Sequence, residues 1–69
     1  MKFSARNVLA GTVKEVIKGP VSTEVTITVA PGIEIVSVIS SRSADALGLA
    51  QGRKAYALVK ASSVMVAVD

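Results

Sequence analysis

From Val21 to Val29 the chain alternates without a break: Val21, Thr23, Val25, Ile27 and Val29 are separated by Ser22, Glu24, Thr26 and Thr28. A period of two is the repeat of a β-strand with one buried face, and it does not suit an amphipathic helix. Val, Ile and Thr are frequent elsewhere too, and β-branched residues favour strands. Leu9 to Ile17 reads as a preceding strand with Leu9, Val13 and Ile17 on one side. Gly11 inside it marks a bulge or a close backbone approach. Lys18-Gly19-Pro20 is a turn that makes these two strands a hairpin. Ala30-Pro31-Gly32 is a second turn, with Pro and Gly where a type II turn prefers them. Ile33 to Ile39 is apolar on both faces, with Ile33, Ile35 and Ile39 on one and Val36 and Val38 on the other. Ser41 or Ser43 can N-cap a helix of one or two turns, which Gly48 closes in the left-handed conformation. Gln51-Gly52 turns the chain. Ala55 to Lys60 and Val64 to Val68 follow as strands, broken at Ala61-Ser62-Ser63. The expected fold is therefore all-β: a five-stranded OB-like barrel with one short helix after strand 3. A small antiparallel sheet plus helix is the alternative.

The 69 residues form one domain, 1–69, with no linker or repeat. A chain this short buries only about 60% of the surface it would expose unfolded, so it needs a staple. Cys and His are both absent, which removes disulfides and the usual zinc, haem and copper ligands. Oligomerisation remains. Hydrophobic residues make up 51% of the chain and the mean hydropathy is +0.57, yet no stretch approaches the roughly 18 apolar residues of a membrane span. Met1-Lys2-Phe3-Ser4-Ala5-Arg6 turns polar at once, unlike a signal peptide. No membrane partner is expected. The apolar surplus points instead to contacts with further copies of the same chain. The third strand, apolar on both sides, says the same.

No catalytic constellation can be assembled. The serines lack an imidazole base. A Ser–Lys pairing around Lys60 is expected by chance among eight serines and five lysines. The glycines form no phosphate loop. Glu15, Glu24 and Glu34 are isolated from one another, and Glu15 and Glu34 read as solvated strand residues. The expectation is a protein that is not an enzyme, with no metal ion held directly by side chains and no organic cofactor.

The net charge of +3 raises nucleic acid as a partner. Against it, Lys and Arg are dispersed, and Phe3 and Tyr56 are the only aromatic residues, too few to stack successive bases. A small anion fits the charge at least as well. Ser4-Ala5-Arg6-Asn7 and Lys60-Ala61-Ser62-Ser63 each combine a cation, hydroxyls and small residues that let backbone N–H groups approach a ligand. A tetrahedral oxyanion needs such donors and no carboxylate among them. Ser40-Ser41-Arg42-Ser43 is a third polar cluster. A nucleic-acid-binding OB-like module, and a purely structural oligomerisation domain in which these clusters are only turns, stay open as alternatives.

The opening Ser4-Ala5-Arg6-Asn7-x-Leu9-x-Gly11-x-Val13 resembles the start of the molybdate-binding Mop domains, or molbindins. Val36-x-Val38-Ile39-Ser40, Leu47-Gly48-Leu49 and the tail from Tyr56 to Met65 are similar to the same family, so the resemblance covers nearly the whole chain. It implies an OB-like barrel assembled as a homohexamer, a trimer of dimers, in the cytoplasm. Molybdate or tungstate would be held at the subunit interfaces. With neither an ATPase nor a helix-turn-helix segment in the chain, it implies a storage or homeostasis role. Carried over by position, Ser4 and Arg6 match the opening oxyanion contacts, Lys60 the basic residue of the tail, and Ser40 the hydroxyl after the third strand. Ala61 offers its N–H and Ser62 a hydroxyl. Asn7 belongs to the motif as a ligand or as an organiser of the backbone, and Ser22 reaches a site from a neighbouring chain. The family tail often has Ser where this chain has Ala61, and the Pro31-Gly32 turn also departs from the family pattern.

Overall fold

The structure, a computed structural model, describes residues 1–69. One long strand organises it. β1 (Asn7–Lys18) pairs antiparallel with β4 (Lys54–Val59) through its first half and with β2 (Ser22–Ala30) through its second. Thr12 is the crossover, opposite both Thr28 and Lys54. β3 (Ile33–Ser40) pairs with the far side of β2, giving one sheet in the order β3-β2-β1-β4. α1 (Ser41–Leu47) follows β3, and a 3₁₀ turn (Ala61–Ser63) follows β4.

The sheet curls around Val13, Val25, Ile27 and Ala57, with Val16, Ile35, Ile39 and Leu49 packed against them. Gly11 backs directly onto β2. A Cβ there would come within 2.7 Å of Ile27 Cγ2, so the close approach requires glycine. The bulge itself lies farther on, between Val13 and Glu15. That extra residue shifts the alternation by one. Val16 then turns toward the core, and Ile17, expected beside Val13, is 52% exposed.

The helix is capped by Ser40, not by Ser41 or Ser43. Ser40 Oγ accepts from the Ser43 amide at 3.1 Å and donates to Ser43 Oγ at 2.8 Å. Ser41 is drawn inward instead. Its hydroxyl donates to the Gly19 carbonyl at 2.6 Å and lies 2.7 Å from Thr23 Oγ1. These bonds satisfy two buried hydroxyls and pin the β1–β2 turn to the start of the helix. Gly48 closes the helix at φ 64°, as expected.

The structure has four strands, not five. Val64–Val68, expected as the last strand, forms none. A strand exists only where its backbone groups find partners, and no backbone hydrogen bond extends past Val64. The outward edges of β3 and β4 both lack a neighbour.

Candidate functional site

β1 begins with Asn7 opposite Val59, the last residue of β4. The chain just before β1 and the chain just after β4 therefore emerge side by side. Asn7 ties them together, its Nδ2 donating to the Val59 carbonyl at 3.3 Å. Between them lies an open cavity of about 570 Å³ lined by Ser4, Ala5, Arg6, Leu58, Lys60, Ala61 and Ser62.

This lining holds two cations and two hydroxyls, with no carboxylate. The chain has two ion pairs, Lys14–Glu34 and Lys18–Asp45, and neither uses Arg6 or Lys60. None of the Ser4, Arg6, Lys60 or Ser62 side chains hydrogen-bonds within the chain. The 3₁₀ turn is closed by the Ser63 amide on the Lys60 carbonyl at 2.8 Å and the Val64 amide on the Ala61 carbonyl at 3.3 Å. The earlier amides of the turn, Ala61 and Ser62, donate to no acceptor in the chain. This follows from helical geometry, in which the first N–H groups have no partner. The result is a solvent-facing wall of donors with uncompensated positive charge, a surface that suits an anion.

Of the residues singled out from sequence, Ser4, Arg6, Lys60, Ala61 and Ser62 meet here. Asn7 does not line the cavity but ties together, through the Val59 carbonyl, the two segments that border it. Ser22 and Ser40 lie elsewhere, opposite each other across β2 and β3. Ser22 starts the strand that pairs with the far end of β1, about 36 Å along β1 from Asn7 at the usual strand rise. Within one chain they do not join the cavity. Ala5 and Leu58 line it although only the motif around Ala5 is visible in sequence, since Leu58 looks like any strand residue. Lys14 is remote from it. Its pKa is raised by the hydrogen bond and the charge of Glu34. No group of three or more His, Cys, Asp or Glu comes together anywhere, and no helix is long and apolar enough to cross a membrane.

Comparison with known proteins gives a consistent result. The family described as "TOBE domain" matches residues 4–66. The chain is 44% identical, over its whole length, to the molybdenum transport protein ModE of Herbaspirillum seropedicae, but spans only 26% of that protein. It is 42% identical to a probable molybdenum-pterin-binding protein of Haemophilus influenzae, with all of both chains covered. Among solved structures, a molybdate-binding protein from Sporomusa ovata superposes with a TM-score of 0.90 at 41% identity, covering 99% of this chain and all of that one. A molybdate-bound form of the cytoplasmic molybdate-binding protein ModG gives 0.88 at 43% identity, over 94% of this chain and 46% of ModG. Against these structures the all-β, curled sheet with one short helix is the expected OB-like fold.

Proposed function

Since the chain belongs to the TOBE-domain family, among the molybdate-binding Mop domains, we propose that it binds molybdate or tungstate in the cavity between Ser4–Arg6 and Lys60–Ser62. One observation carries this reading: two unpaired cations and two free hydroxyls share a cavity that holds no carboxylate. The relatives' names supply the anion. The cavity's chemistry explains why this chain would take it.

The cavity is open, and that bears on its strength. A doubly charged anion about 4 Å from one cation gains only about 2 kcal/mol where the dielectric is that of water, and several times more where solvent is excluded. A site of useful affinity therefore calls for a cover. Ser22 and Ser40, out of reach in their own chain, would cover it from a second copy, Ser40 by turning its hydroxyl proton from Ser43 to the anion. The reading is thus a homo-oligomer, a hexamer built as a trimer of dimers, with the oxyanion at its seams and Arg6, Lys60, Ser4, Ser62 and the Ala61 amide as donors. Asn7 holds the two donor segments in register. The chain would serve as a single binding domain in cytoplasmic storage or homeostasis of the oxyanion, without catalysis and without an organic cofactor.

Equilibrium dialysis with competing anions tests it. Molybdate and tungstate have nearly the same size and charge and should displace each other at similar concentrations. Sulfate is smaller, leaves donors of a fixed shell out of reach, and should compete far less well. Displacement by sulfate as effective as by tungstate would overturn the proposed shell. Absence of molybdate binding to the intact oligomer would overturn the function.

A further inference from the structure

The two hydroxyls that a second copy would bring to the anion are each followed in the chain by a buried one. Ser22 and Ser40 are cross-strand partners at the end of the β2–β3 ladder, and both are exposed. Thr23 and Ser41, the next residues along, are 1% and 7% exposed. Their hydroxyl oxygens lie 2.7 Å apart. Ser41 is the centre of this cluster. Its amide donates to the Val21 carbonyl at 2.8 Å and its hydroxyl to the Gly19 carbonyl at 2.6 Å. A serine has one hydroxyl proton, and here Gly19 takes it, so Thr23 donates to Ser41. The Gly19 amide in turn donates to the Ser22 carbonyl at 3.0 Å. The two peptide groups that flank the Ser22 Cα are therefore both held, one by Ser41 directly and the other through Gly19. No buried side-chain polar atom is left without a partner.

We propose that Ser41 is a positioning residue of the anion site, a role that rests on the reading that Ser22 and Ser40 cover the cavity of a neighbouring copy. Through Gly19, Val21 and Thr23 it holds those two hydroxyls as a matched pair. Little else holds the turn. Pro20 has no amide to donate, and Val21 is 79% exposed, so packing does not fix it. The Lys18–Asp45 pair also bridges turn and helix, at 2.7 Å, but both side chains are 60% exposed and solvent screens them. The chemistry favours position over stability. Apolar side chains at 23 and 41 would pack without desolvating any polar group, and a neutral hydrogen bond adds little net stability. What the bonded pair adds is direction. A hydrogen bond weakens steeply with angle, so it selects one arrangement of the turn against the helix start. Ser40 is fixed from the helix side, where its Oγ accepts from the Ser43 amide at 3.1 Å. Donors fixed before binding lose less freedom when the anion arrives, and they discriminate between anions of different size.

Molybdate and sulfate are titrated in competition against the wild type, Ser41→Ala, the double variant Ser22→Ala with Ser40→Ala, and the triple variant. Native mass spectrometry checks that each assembly is intact. Ser41→Ala should weaken molybdate about fivefold, the worth of one hydrogen bond. It should weaken sulfate less, so the molybdate-to-sulfate affinity ratio falls. A merely structural residue changes the binding-competent fraction, which scales both affinities alike and leaves the ratio where it was. In the background that lacks Ser22 and Ser40 hydroxyls, Ser41→Ala should cost no further affinity, because the groups it positions are gone. Thr23→Val keeps the Ser41–Gly19 bond and should move the ratio the same way by less; it carries the test should Ser41→Ala not fold. An unchanged ratio, or an equal loss in both backgrounds, overturns the positioning role. A wild type that binds molybdate together with a Ser41→Ala protein that binds it equally well refutes that role and leaves the proposed function standing. A wild-type assembly that binds no molybdate removes the function itself, and the role with it.

Discussion

Replacing Lys60 by Ala removes one of the two cations of the cavity without touching the core, since Lys60 is exposed and makes no ion pair. The size of the effect depends on whether the cavity stays open. In an open cavity, a unit charge about 4 Å from a divalent anion contributes about 2 kcal/mol in water. Salt at physiological strength, with a Debye length of about 8 Å, reduces this to about 1.2 kcal/mol. That is about an eightfold loss of affinity. At a covered seam the lost interaction is a charge-assisted hydrogen bond in a drier setting, about 3 kcal/mol at the upper end, or about 150-fold. Isothermal titration with molybdate at fixed ionic strength separates these cases, with native mass spectrometry confirming that the oligomer is intact. The expected result for Lys60→Ala is a loss of about 100-fold or more, with little dependence on salt. Lys14→Ala, which removes the same charge from a lysine paired with Glu34 away from the cavity, should change the affinity little. A Lys60→Ala protein that keeps wild-type affinity within a factor of about two would refute the reasoning, because no placement of the anion in this cavity escapes even the screened charge.

Gly48→Ala places a Cβ on a left-handed residue at φ 64°, close to the Arg53 guanidinium that donates to the Gly48 carbonyl at 3.1 Å. The strain is about 1 kcal/mol, which should lower Tm by about 4–8 °C in thermal melts without altering molybdate stoichiometry. The Lys14–Glu34 pair raises the folded-state pKa of Lys14 above its ordinary 10.5. Its contribution is fully present below that value and fades as pH rises through the raised one. Glu34→Gln should therefore cost stability near neutral pH and flatten the alkaline decline, as read from melts between about pH 9 and 11.5.

Where a strand has one wet face, its alternation can be read directly. Thr23, Val25 and Ile27 are buried as the pattern of β2 requires, whereas Val21, just before β2, is 79% exposed and Thr26, on the opposite face, is buried. Period-two reading fails where a residue is inserted. The bulge between Val13 and Glu15 carries no local signal, because nothing about Lys14 distinguishes an extra residue from a paired one. The reading of β1 therefore places Val13 correctly and reverses the faces after it, while Leu9, expected beside Val13, is 39% exposed. The helix start fails for another reason. Ser40, Ser41 and Ser43 cap equally well by chemistry. What selects Ser40 is the tertiary contact that takes Ser41 away, its bonds to Gly19 and Thr23.

The donor segments of the site are legible because each is local, a cation with small and hydroxyl neighbours. Their meeting is not legible, since it depends on the pairing of Asn7 with Val59 across 52 residues. The same limit applies to the apolar surplus. Composition records that more hydrophobic surface exists than 69 residues can cover, but not what covers it. In this fold the two unfinished features adjoin: the 3₁₀ turn at Ala61–Ser63 is both a wall of the cavity and the root of the bare tail. An anion held by that turn at a seam between copies would stabilise the assembly that covers it, and by the same free energy the assembly would tighten the anion.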